Sequence, residues 1–190
     1  MNEDYQPKEL FSRFLAREVC DWVEAAMMAV VCVVLLFTFV IRLAGVDGAS
    51  MMPTLEDRDR LVITRLGGEV MQGEIVVVTL SDRGDDPLVK RVIATGGQTI
   101  DIDFERGTVF VDGVALEEPY TAGPTMLSYD MYFPQTVPEG HVFIMGDNRN
   151  NSWDSRHTHI GMVDSRHILG RAVYRIFPYH RMGLPSTVDS

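Results

Sequence analysis

Lys8 and Lys90 are the only lysines among seventeen basic residues, and Lys90 sits in the apolar run Leu88-Val89-Lys90-Arg91-Val92-Ile93. Arginine is effectively always protonated, whereas burial can push a lysine toward its neutral, proton-accepting form. Read as a strand, the run sets Lys90 on one face with Leu88 and Val92 and turns Arg91 the other way. An apolar face suits a general base. The ordinary lysine pKa is about 10.4, and each unit of depression corresponds to about 1.4 kcal/mol of disfavoured charge. The plain alternative is a surface lysine with its stem on apolar groups and its ammonium in water or in a salt bridge.

The nucleophile such a base would serve lies in Val46-Asp47-Gly48-Ala49-Ser50-Met51-Met52-Pro53-Thr54-Leu55. Gly48 and Ala49 let backbone approach a substrate closely, and Pro53 stiffens the turn after Ser50. A serine hydroxyl needs a neighbour to take its proton, and Lys90 follows about forty residues later. Ser50 and Lys90 together suggest a Ser-Lys dyad. A rival is a Ser-His-Asp triad built from His157, His159 or His167 with Asp154 or Asp164, since triads recur in any chain order. His157 and His159 are spaced as on one strand face, but no third ligand with metal-site spacing accompanies them, so no metal is expected.

A third chemistry-bearing block is Gly146-Asp147-Asn148-Arg149-Asn150-Asn151-Ser152-Trp153-Asp154-Ser155-Arg156. A calcium loop would want an oxygen ligand where Arg149 stands and glycine where Ser152 stands. The block reads instead as a rigid hydrogen-bonded loop in which carboxylates and guanidiniums hold Ser152 where it orients a neutral lysine.

These residues need a scaffold. At 190 residues with 46% hydrophobic content, the chain can hold one domain with a real core and an appendage. The net charge of −10 argues against a nucleic-acid partner. Both cysteines, Cys20 and Cys32, lie in or beside one uncharged run, Ala25 to Ile41, so residues 43–190 carry no thiol. That run is short for a spanning helix, and Val23, Leu43 and Ala44 lengthen it if Arg42 snorkels. Trp22 stands at its entrance. Lys8, Arg13 and Arg17 precede it, which places the N-terminus in the cytoplasm and everything after Ala44 outside. The organisation expected is a cytoplasmic segment 1–22, an anchor 23–44 and an extracytoplasmic domain 45–190 with a small β insert around 97–140. A cleaved secretory leader and a buried core helix are the competing readings of the apolar run.

Beyond the anchor, alternation and turn residues predict strands at 61–64, 75–80, 88–94, 99–104, 108–111, 141–145 and 170–177. The fold class is thus mainly β, an antiparallel domain on an N-terminal transmembrane helix. The aromatic stretch Met126 to Phe133 either packs on the core as a hairpin or touches lipid headgroups.

The ordered blocks resemble those of the bacterial type I signal peptidases, membrane-anchored Ser-Lys proteases that remove leader peptides from exported preproteins. The resemblance runs through the N-terminal span, Ser50 to Thr54, Arg58 to Val62 with Gly73 to Val77, Lys90-Arg91-Val92, Val111 to Gly113 with Glu118-Pro119-Tyr120, and Gly146 to Arg156 followed by Gly161. The single span and compact insert look like the short form common in Gram-positive bacteria.

The resemblance implies an antiparallel β catalytic domain of the signal-peptidase and LexA-like type. In it Ser50 is nucleophile, Lys90 general base, and Ser152 the hydroxyl that orients the lysine. Asp147 with Arg91, and Asp154 with Arg156, are supporting charge pairs. The Ser50 amide supplies one oxyanion donor. Gly48 falls where some relatives carry a serine that completes that hole, which leaves the second donor to a main-chain group or another side chain. Cleavage after small residues implies shallow apolar pockets, for which Met51 and Val46 are candidate walls, with core packing as their alternative role. The partners expected are signal-peptide-bearing preproteins and the lipid bilayer, with no cofactor and a monomeric chain. Remaining alternatives are a catalytically silent anchored domain, or a relative that cuts itself or one partner. A penicillin-interactive Ser-x-x-Lys enzyme is excluded because residue 53 is Pro.

Overall fold

The computed structural model describes residues 7–80 and 86–185. The chain divides into two compact units, 1–41 and 42–190, each described by itself. In the first, helix α1 (Pro7–Leu35) continues as a π-helical stretch, Leu36–Val40. Among the described residues one helix is long and apolar enough to cross a membrane, Leu15–Thr38. It spans roughly 35 Å, more than the ~30 Å hydrocarbon layer.

The helix differs from the sequence reading at both ends. Upstream it runs through the charged turns before Ala25, where Arg17 and Asp21 have the i,i+4 spacing that supports a helix. Downstream, Phe37-Thr38-Phe39-Val40-Ile41 is aromatic and β-branched, types that resist a helix and favour extended chain. Residues 41–45, which include the Leu43 and Ala44 assigned to the anchor, are accordingly a strand.

The second unit holds eleven strands: β1 (Ile41–Gly45), β2 (Arg60–Thr64), β3 (Ile75–Val78), β4 (Leu88–Thr95), β5 (Thr99–Asp103), β6 (Thr108–Val111), β7 (Val114–Ala115), β8 (Gln135–Thr136), β9 (His141–Met145), β10 (Val163–Asp164) and β11 (Ile168–Phe177). They form a seven-stranded sheet in the order β1-β2-β11-β3-β4-β9-β10 and a four-stranded sheet in the order β7-β6-β5-β8. Pairings from β2 onward are antiparallel. All seven expected strands are present, with bounds shifted by up to two residues. The fold is mainly β, as the alternation implies.

The core follows the two-residue period. β3, in the middle of the large sheet, is buried along its whole length. Its Ile75 and Val77 pack with Val46, Met51, Leu55, Leu61, Ile63 and Val89. Val76 and Val78 pack with Val92, Val142, Ile144 and Ile168. A third cluster joins the small sheet to the large one, with Ile100, Ile102, Val109 and Val111 meeting Ile93, Phe143 and Met145. The small sheet is therefore fixed to β4 and β9, the strands that carry Lys90 and lead into the 146–156 loop.

Candidate active site

Ser50 follows β1 in a turn between Val46 and Leu55, both buried in the core. The turn is pinned at both ends, because the Val46 amide donates to Asp59 O at 2.9 Å and the Leu55 amide to Met51 O at 2.9 Å. Lys90 lies on β4 opposite Val76 of β3 and is only 3% exposed. Its Nζ is 2.7 Å from Ser50 Oγ and 3.1 Å from Val89 O. No carboxylate pairs with it among the described residues. Burial pushes its pKa down from 10.5 to about 8, against the opposing pull of Asp154 and Asp147. A lysine in this setting can surrender its proton near neutral pH and accept one from a hydroxyl at contact distance.

The 146–156 loop wraps the far side of the serine. The Asn148 amide donates to Ser50 O at 3.0 Å, and Asn148 Nδ2 to Ala49 O at 3.1 Å. Gly146 sits where a side chain has no room: a Cβ there would come 2.3 Å from Ser152 Oγ and 2.4 Å from Ser50 O. The loop is stitched back onto β9 by Ser155, whose amide donates to Ile144 O and whose Oγ accepts from the Ile144 amide, both at 3.0 Å.

Two buried ion pairs brace this arrangement. Arg91 grips Asp147 with Nε on Oδ1 at 2.8 Å and Nη2 on Oδ2 at 2.7 Å, and its Nη1 donates to Gly73 O. The Thr54 hydroxyl donates to the same Asp147 Oδ2, tying the turn after Ser50 to the loop. Arg156 grips Asp154 in the same two-pronged way at 2.9 and 2.8 Å, and Asp154 Oδ2 also accepts from the Gly146 amide. All four side chains are at most 1% exposed. The pairs expected from the sequence thus exist as contacts.

Other expected residues stand differently. Ser152 is buried and beside Gly146, but its hydroxyl has no hydrogen-bond partner among the described residues. The Gly48 amide, a candidate oxyanion donor, instead donates to Asp57 Oδ1 at 2.9 Å, and Gly48 itself has a left-handed φ of +81°. The Ser50 amide has no acceptor among the described residues. Val46 and Met51 are core side chains flanking Ser50.

The histidine triad is not assembled. Asp154 and Asp164, its candidate carboxylates, are held by Arg156 and Arg166. The His157 ring is stacked between Trp153 and Tyr129. The 126–133 stretch is irregular chain with a single turn at 129–130 rather than a hairpin. Its Phe133 packs on Phe104 and Phe143 while Tyr132 is exposed. Three residues went unread in the sequence, Thr54, Asn148 and the Arg149 partner Glu118, because each acts through a contact with a residue far along the chain.

The signal peptidase, peptidase S26, family model matches residues 19–177. The chain belongs to that family. It is 34% identical over 173 residues to the signal peptidase I of Bacillus licheniformis, covering 85% of this chain and 90% of that one. It is 38% identical over 168 residues to a probable signal peptidase I of Synechocystis, with 83% and 82% covered. Membership makes the chain a peptidase, a hydrolase concerned with signal-peptide processing. A crystal structure of a signal peptidase I from Enterococcus faecalis aligns with a TM-score of 0.44 and 29% identity, covering 55% of this chain and 97% of that one.

Proposed function

We propose that this chain is a membrane-anchored serine endopeptidase that cleaves signal peptides from exported preproteins after small residues, through a Ser50-Lys90 dyad and an acyl-enzyme. The observation that carries the reading is the 2.7 Å contact between Ser50 Oγ and a buried Lys90 whose pKa is lowered to about 8.

In the proposed reaction, neutral Lys90 takes the Ser50 proton as Oγ attacks the scissile carbonyl carbon. The resulting ammonium then protonates the departing amine as the C–N bond breaks. Water attacks the acyl-enzyme after giving a proton to Lys90, and that proton returns to Oγ as the ester breaks. The Ser50 amide would face the oxyanion. The Gly48 amide would have to leave Asp57 before it could serve as a second donor. Asp147 with Arg91, and Asp154 with Arg156, would hold the loop and strand that present the dyad.

An Ala-x-Ala preference would require shallow pockets, floored by the buried Met51 and Val46 beside Ser50. The α1 helix would cross the bilayer with its N-terminus in the cytoplasm and the β domain outside, on the positive-inside argument. A monomer without metal, cofactor or nucleic acid completes the proposal. It is tested by cleavage of a preprotein with an Ala-x-Ala leader in detergent, beside Ser50→Ala and Lys90→Ala. Cutting after the second alanine by wild type alone supports the reading, whereas a folded wild type that cuts no leader contradicts it and leaves a silent anchored domain.

A further inference from the structure

A third buried ion pair, Glu118 with Arg149, has no part in the proposed chemistry, yet its contacts lead to the dyad. Glu118 lies in the segment that leaves the small sheet after β7, and Arg149 lies in the 146–156 loop. Arg149 is 1% exposed and Glu118 10%. The pair is two-pronged, Nη1 on Oε2 at 2.7 Å and Nη2 on Oε1 at 2.5 Å. The guanidinium spends its other donors on Thr125 Oγ1 and on Gly146 O, both at 3.0 Å.

Gly146 is consequently held from both sides by buried charge, its carbonyl by Arg149 and its amide by Asp154. Ser152 and the Ser50 carbonyl rest against this residue. Glu118 has a second route to the same place. Its Oε1 accepts from the Tyr120 hydroxyl at 3.1 Å, and the Tyr120 ring lies 3.9 Å beneath the Arg91 guanidinium that grips Asp147. Asp147 in turn accepts from Thr54, four residues after Ser50.

We infer that Glu118 and Arg149 are positioning residues for the Ser50-Lys90 centre, acting through the backbone of Gly146; the inference rests on the peptidase reading above. They touch no reacting atom. Their effect is to let the small sheet set the geometry of the loop on which the nucleophile leans, so that loosening them slows the chemical step without weakening substrate binding.

The test uses the full chain in detergent with an Ala-x-Ala preprotein. Arg149→Lys keeps a cation beside Glu118 but loses the fork that also reaches Gly146. The expected result is a kcat lowered about tenfold with KM within about twofold. Glu118→Gln/Arg149→Gln removes both charges together, strands neither, and is expected to fold and to show the same kcat loss. Wild-type kcat in either folded variant, or a loss confined to KM, overturns the inference. Wild type and Ser50→Ala run alongside. Cutting by the first alone keeps the peptidase reading whatever the pair does, and no cutting by wild type removes both.

Discussion

Lys90 and Arg91 are neighbours on β4, 3% and 1% exposed, yet their surroundings treat charge in opposite ways. Arg91 finds a two-pronged carboxylate in Asp147, a carbonyl in Gly73 and an aromatic ring in Tyr120. Lys90 finds one hydroxyl and one carbonyl. The first environment compensates a buried cation, and the second makes protonation unfavourable. Burial alone therefore does not produce a base; burial without a carboxylate partner does. The arginine-carboxylate pairs hold the 146–156 loop, while Lys90 is left with no carboxylate partner among the described residues.

Breaking the second half of that contrast has the largest expected effect. Lys90→Arg restores a permanent charge at the centre, and kcat/KM with an Ala-x-Ala substrate should fall by at least about 10³ while the protein stays folded. Retained turnover would remove the dyad from the account. Breaking the first half should act on folding instead. Asp147→Asn strands Arg91, and urea unfolding should show a loss of about 3–5 kcal/mol.

A third test converts the centre into a plain core position. The Lys90 pKa falls from 10.5 to about 8 on folding, a cost of about 3 kcal/mol in the charged state. Lys90→Met should therefore be inactive yet more stable by up to about 3 kcal/mol at pH 7. The sign fixes the wild-type profile. Below pH 8 both states bind the proton and the penalty is complete. Between about 8 and 10.5 the native lysine is neutral while the unfolded one still binds its proton, so stability rises with pH across that window. Activity should follow the same group, with kcat/KM falling about tenfold per unit below pH 8.

The smallest effect belongs to an exposed pair of the same chemistry, Arg106 with Asp103, 82% and 33% exposed. Arg106→Ala should change stability by less than about 0.5 kcal/mol and leave cleavage untouched. A larger change would blur the distinction between buried and surface pairs.

The sequence made local and periodic features legible. The near-continuous buried runs at 75–78 and 88–95 mark strands whose side chains pack on both sheet faces. The proposed Ser50-Lys90 dyad was suggested by residue type, since the one lysine beyond the apolar span is the basic group that burial can neutralise. What stayed hidden is set by contacts across the chain. β1 at 41–45 reads as the tail of an apolar helix until its pairing with β2 is seen. β7, β8 and β10, two residues each, carry no period to read. Glu118 and Arg149 are separated by β8 of the small sheet and β9 of the large one, and nothing in either segment names the other. The Gly48 amide is likewise committed by Asp57, a residue beyond the turn.

The central claim, that Lys90 is a depressed-pKa base in contact with Ser50, has a direct measurement because Lys8 is the only other lysine. Lysine labelled with ¹⁵N at Nζ and titrated by NMR in the full detergent-solubilised chain should give two curves. One midpoint is expected near 8, assigned to Lys90 by its loss in Lys90→Arg, and one near the ordinary value of about 10.4. Two midpoints above 10 would mean that Lys90 is charged at working pH and is not the base.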